Sequence, residues 1–171
     1  LFRSIQTNNL AINSMGFILD ADKAAMWRGP MLSGAIKQLK ELTKWGDLDY
    51  LFIDMPPGTG DAYLTVASEI KPDSIILVTS QSSMAVQDTI KSKAMFDRLN
   101  IPMLGLIDNM SYSECSHCNK KTNEYEPVDL EQALNLPVLG SLPRNKDLTR
   151  FNPLKSPTFF EHIYNKLIEL L

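Results

Sequence analysis

Cys115 and Cys118 are the only two cysteines in the 171 residues, and they stand together in "ECSHCNK". Thiolates at C-x-x-C spacing suit zinc, an iron-sulfur cluster or a redox pair. One chain supplies two sulfurs, short of the four that a structural zinc or a cubane cluster takes. His117 lies between the cysteines, and His162 is far off in the sequence. A two-fold dimer that brought two such loops together would complete a set of four. Catalytic dithiols sit at a helix N-terminus that lowers one thiol pKa, whereas "NKKTNEYEP" downstream reads as loop. The spacing alone leaves metal or cluster site, redox pair and incidental pair all open.

Asp54 is the second candidate, at the end of the apolar run in "DYLFIDMPPGTGD". A carboxylate placed there can hold magnesium through water, and the amide of Gly58 can approach a terminal phosphate because no side chain intervenes. The plainer reading is a strand-ending acid, a rigid Pro-Pro-Gly turn and a helix capped by Asp61. A nucleotide site also needs a phosphate cradle, G-x-x-x-x-G-K followed by Ser or Thr. Gly29 and Gly34 have the glycine spacing, but Ala35 and Ile36 replace the required residues and Pro30 removes a backbone donor. No cradle is present. Asn109 offers both a donor and an acceptor to a purine edge, although an asparagine at a strand end is often a turn residue. Arg28 could reach an anion or simply pair with an acid.

These side chains need elements to hold them. "YLFID", "SIILVT" and "MLGLID" are short apolar runs of the kind that form buried parallel strands, "PVLGSL" adds a further strand, and "LAINSMGFI" reads as a strand near the start. Between them, Leu32, Ala35, Ile36, Leu39 and Leu42 recur at helical spacing after Pro30, and a short helix begins near Asp61. A longer helix covers residues 83–99, with Val86, Ile90, Ala94 and Phe96 toward the sheet. The closing "TFFEHIYNKLIELL" places Phe160, Ile163, Leu167 and Leu170 on one stripe. Met84, Met95 and Met103 read as core fillers. The alternation predicts an α/β fold, a mostly parallel sheet with helices on both faces, whose ligands bind beyond the carboxyl ends of the strands.

The bulk numbers narrow the function classes. A length of 171 residues at 44% hydrophobic and 22% charged predicts one domain over 1–171. A net charge of −3 with scattered basic residues gives no footprint for nucleic acid. No apolar run reaches the roughly 18 to 20 residues of a membrane span, and the opening lacks signal-peptide zones, so no membrane and a cytoplasmic setting are expected. The start without Met reads as internal, which leads to the expectation that the domain is N-terminally truncated.

Taken in order, "MGFILDADKAAMWRGPMLSGAIKQL", "LDYLFIDMPPGTGD", "ILVTSQ", "PMLGLIDNMSY", the C-x-x-C and "LPVLGSLPRNKDL" cover nearly the whole chain. Together they resemble the Mrp/ApbC family of iron-sulfur cluster carriers, within the MinD-like class of P-loop ATPases with a deviant Walker A motif. The resemblance implies a P-loop NTPase fold lacking its first strand. It assigns Asp54 as the Walker B carboxylate, Gly58 as the switch II glycine and Asn109 as an adenine contact. Pro143 and Arg144, in the "LPRN" of residues 142–145, match a loop closing over the base. Cys115 and Cys118 match half of a 4Fe-4S site completed by a second subunit. It further implies ATP and Mg2+ as cofactors, a homodimer through the Cys loop and apo iron-sulfur proteins as recipients. Two other functions compete: a zinc- or cluster-binding interaction module without nucleotide chemistry, and a positioning ATPase of the MinD/ParA type.

In that family a glycine-rich lysine loop and the strand before it precede the matching region. The strand would lie centrally, beside the one ending at Asp54. Without it, two ladders stay unpaired and poor stability or association with another chain is expected.

Overall fold

Pro30 in its first turn and an amphipathic stripe behind it give the chain its first long helix, α1 (Gly29–Leu42). The computed structural model describes residues 2–7, 10–17, 29–55, 60–115, 117–123, 125–144 and 158–171. Its contacts cluster into two compact units, Leu1–Pro72 and Asp73–Leu171.

In the first unit, β1 (Phe2–Arg3) runs parallel to β4 (Thr43–Lys44), and β2 (Ile5–Thr7) forms an antiparallel hairpin with β3 (Leu10–Ile12). The strand expected over "LAINSMGFI" stops at Ile12 and gives way to a 3-10 turn at Met15–Phe17. There Ser14 accepts from Gly16 N–H through its side chain and from Phe17 N–H through its carbonyl. These local bonds compete with a ladder. α1 packs on α2 (Asp61–Thr65), which continues as a π-helical turn, Val66–Ile70, ended by Lys71 at φ 54°. Gly60, not Asp61, is the N-cap of α2, and no side chain caps it. Lys37 ties α1 to the π turn through Glu69 at 3.0 Å.

The expected strand "YLFID" does not form. Residues 50–54 are in no ladder, and Phe52 is 72% exposed. An apolar run becomes a strand only where a neighbour offers the complementary hydrogen bonds. The first unit offers none here among the described residues.

The second unit carries the larger core. β5 (Ile75–Thr79), β6 (Met103–Glu114) and β8 (Val138–Pro143) form a parallel sheet in the order β5-β6-β8. β7 (Lys121–Thr122) pairs antiparallel with the end of β6, so the sheet is mixed. α3 (Ser83–Arg98) links β5 to β6, α4 (Leu130–Leu134) precedes β8 and α5 (Thr158–Leu170) closes the chain. Leu77, Val86, Phe96, Leu106, Leu134, Leu139 and Ile163 are buried between these layers. Met84, expected in the core, faces solvent in the first turn of α3, and Leu170 is half exposed. Gly140 lets α5 come close: a Cβ there would lie 2.5 Å from Ile163 Cγ1. β5 pairs on one side only among the described residues, leaving an open edge with Val78 exposed.

Candidate functional site

β6 is the element on which the chemistry is strung. It was expected to end at Asn109, but it runs on to Glu114 because β7 returns beside it, Ser113 opposite Thr122 and Glu114 opposite Lys121. The turn between them carries the cysteines. Cys115 N–H donates to Lys120 carbonyl at 3.0 Å, Asn119 N–H donates back to Cys115 carbonyl at 2.9 Å, and Asn119 takes a left-handed φ of 55°. Asparagine tolerates that conformation better than most residues.

This turn aims donors at sulfur. The backbone N–H of His117 holds the Cys115 thiol below its ordinary pKa, and the N–H and thiol of Cys118 act in the same direction. Hydrogen bonds to a thiolate favour the charged form, which is the form that binds metal. Both cysteines are exposed. Among the described residues no helix begins here, whereas oxidoreductase dithiols are tuned by one. Two sulfurs remain an incomplete set, for no cluster of three or more His, Cys, Asp or Glu suited to a metal exists among the described residues. Lys121 flanks the turn, 4.3 Å above the Tyr112 ring and 3.6 Å from Glu114.

The expected nucleotide-side residues share the same unit. Asn109 sits inside β6, half buried, just before Met110 at φ 55° and a register shift against β8. A bulge of this kind re-aims neighbouring side chains. Pro143, buried at the end of β8, stands opposite Tyr112, and Arg144 N–H donates to the Tyr112 carbonyl at 2.7 Å. Pro143 and Arg144 thus meet Tyr112 at the end of β8, and Asn109 lies mid-strand in β6, three residues before Tyr112. In the first unit Asp54 is exposed on the unpaired run. Gly58, Arg28 and Asn145 lie outside the described residues. No lysine-bearing glycine loop exists in the chain, so the residues present do not form a phosphate cradle, and no step of ATP hydrolysis is derived.

Sequence reasoning missed one group. Gln81, just after β5, donates through Nε2 to Asp108 Oδ2 at 2.7 Å and accepts Val128 N–H at 2.8 Å. Burial pushes the Asp108 carboxyl above the usual carboxylate range, and the Gln81 amide pulls it partly back. Asp108 Oδ1 has no partner among the described residues. The one signal in the sequence was an acid inside an otherwise apolar strand.

Residues 2–169 match a family model described as ParA, the NUBPL iron-transfer P-loop NTPases. An iron-sulfur cluster carrier protein of Haemophilus influenzae is 40% identical over 156 residues, covering 87% of this chain and 42% of that protein. The iron-sulfur cluster transfer protein NUBPL of Mus musculus is 36% identical, covering 94% and 51%. The chain therefore spans about half the length of these curated relatives, 42% and 51%. A nucleotide-binding protein of Archaeoglobus fulgidus, solved with ADP, superposes with TM-score 0.73 at 28% identity, covering 93% of this chain and 65% of that one. The cell-division ATPase MinD of Pyrococcus furiosus shares the fold, with TM-score 0.58 at 18% identity, covering 84% of this chain and 60% of that one.

Proposed function

Because the chain belongs to the NUBPL iron-transfer family of P-loop NTPases, we propose that it carries an iron-sulfur cluster and passes it to apo-proteins. The single observation that carries this reading is the Cys115–Cys118 turn, with N–H groups of His117 and Cys118 preset on one exposed sulfur. A 4Fe-4S cluster, as cargo, takes four thiolates. Two chains joined through this turn supply them, as a homodimer with the cluster across its axis. Exposure is what a carrier needs, since a recipient's thiolates must reach the iron to displace those of the donor.

ATP enters as the ligand that biases the dimer. In the second unit Asn109 would read the adenine edge and Pro143 and Arg144 would close over the base; in the first, Asp54 and Gly58 keep the magnesium-side and switch roles that the resemblance assigns. The ADP-bound structural relative supports nucleotide binding. Residues 1–171 are proposed to act as one NTPase-like domain in the cytoplasm; no described helix is long and apolar enough to cross a membrane.

Anaerobic reconstitution with ferrous iron and sulfide is expected to give a brown protein with about four iron per two chains. Cys115→Ala or Cys118→Ala is expected to abolish the colour. Uptake of zinc with no iron would favour the interaction-module reading instead. A positioning ATPase is less well supported, for α5 sets Glu161 and Glu169 against Lys166 and has little attraction for anionic lipid.

A further inference from the structure

We propose that the cavity walled by Gln81, Asp108, Tyr112 and Tyr125 binds the guanidinium group of an arginine side chain presented by a polypeptide. The cavity holds about 290 Å3 and is also lined by Ser111 and Ser141. That volume is near the lower limit of ligand sites and is ample for a side-chain head group. Asp108 lines it, 5% exposed, and among the described residues one carboxylate oxygen bonds a neutral amide and the other bonds nothing. A buried carboxylate without a cation is costly, and the expected remedy is a paired, hydrogen-bonded one. Lys121 does not supply it, being held over the Tyr112 ring and toward Glu114.

Guanidinium suits the remaining walls better than ammonium. It is planar, weakly hydrated and stacks on aromatic faces, and the Tyr125 ring offers one. Ser111 already donates to the Leu142 carbonyl at 3.2 Å, so its oxygen is left as an acceptor. Thr79, Asp108 and Ser141 are ladder partners across β5, β6 and β8, and Asn109 is not among the residues that line the cavity.

A polypeptide source follows from what covers the site. Asn123, Tyr125 and Pro127 belong to the segment that leaves β7, tethered to Gln81 through Val128 N–H. This segment is continuous with the turn bearing Cys115 and Cys118. An arginine held here anchors its own chain on the β6–β7 hairpin whose turn carries the sulfurs, where a recipient of the cargo has to dock. The recipient's role rests on the function proposed above; binding of the group does not.

Calorimetric titration of the metal-free 171-residue chain with N-acetyl-arginine methylamide tests the assignment. Saturable binding is expected, weakened roughly tenfold or more when the neutral citrulline analogue replaces arginine or when Asp108→Asn removes the charge. Tyr125→Ala, at a half-exposed ring, is expected to weaken binding severalfold with an unchanged melting temperature, which keeps the test valid if Asp108→Asn folds poorly. Free arginine, with its charged termini, is expected to bind no better than the blocked form. No saturable binding, or equal binding of citrulline and arginine, overturns the site; tighter binding of free arginine overturns the polypeptide source. Because no metal is present, failure of the cluster reading would leave these titrations unchanged.

Discussion

Asp108 and Cys115 belong to one strand and the turn that follows it, yet their environments push their protons in opposite directions. Cys115 is surrounded by donors and favours the anion; Asp108 is desolvated and resists it. A carboxyl whose folded pKa lies above its unfolded value binds its proton more tightly in the folded chain. Folded-state stability is therefore lost as pH rises from the ordinary carboxylate range through the folded value, and the loss is complete above it. Asp108→Asn, which keeps an acceptor for Gln81, is expected to stabilise the chain at pH 7, read as a higher melting temperature. The gain should vanish below about pH 4, where the carboxyl is protonated in both states. Thermal melts of both proteins across pH check this; a variant less stable than the parent at every pH would contradict it. The cysteines were legible in the sequence because their spacing is itself the signal. Asp108 was not, since an acid in "MLGLID" reads the same whether it meets water or a glutamine from another loop.

At the scale of elements, what was legible is what local pattern determines. Helices α1, α3 and α5 and strands β5, β6 and β8 fall where apolar periodicity places them. Two things were not. β6 extends past Asn109 because of β7, a two-residue strand with no periodicity to read. The run at 50–54 has the composition of a strand but lacks the neighbour that would make it one, and the open edge of β5 has the same origin in unmade ladder bonds. Packing between elements is likewise invisible in one sequence: Gly140 looks like a strand-weakening residue until Ile163 of α5 is seen against it. Gly140→Ala is expected to cost about 1 to 3 kcal/mol through overpacking. Urea unfolding measures that loss, and a neutral result would mean α5 can shift freely on the sheet.

For the whole molecule, the chain belongs to the iron-transfer family and spans about half the length of its curated relatives, 42% and 51%. The sulfur turn lies in the second unit together with Asn109, Pro143 and Arg144; Asp54 lies in the first. Cys115 follows Asn109 along β6 at about 20 Å or less, six residues at strand rise. In the function proposed above, that continuity is the route by which a nucleotide on β6 biases the dimer at the turn. Dimerisation through shared cargo is the claim on which the proposed function depends most, and native mass spectrometry of the anaerobically reconstituted chain tests it directly. The expected species is two chains with about four iron and four sulfide, reverting to single chains when the cluster is chelated. A reconstituted protein that remains one chain, with its iron or zinc bound to one Cys115–Cys118 pair, would contradict it.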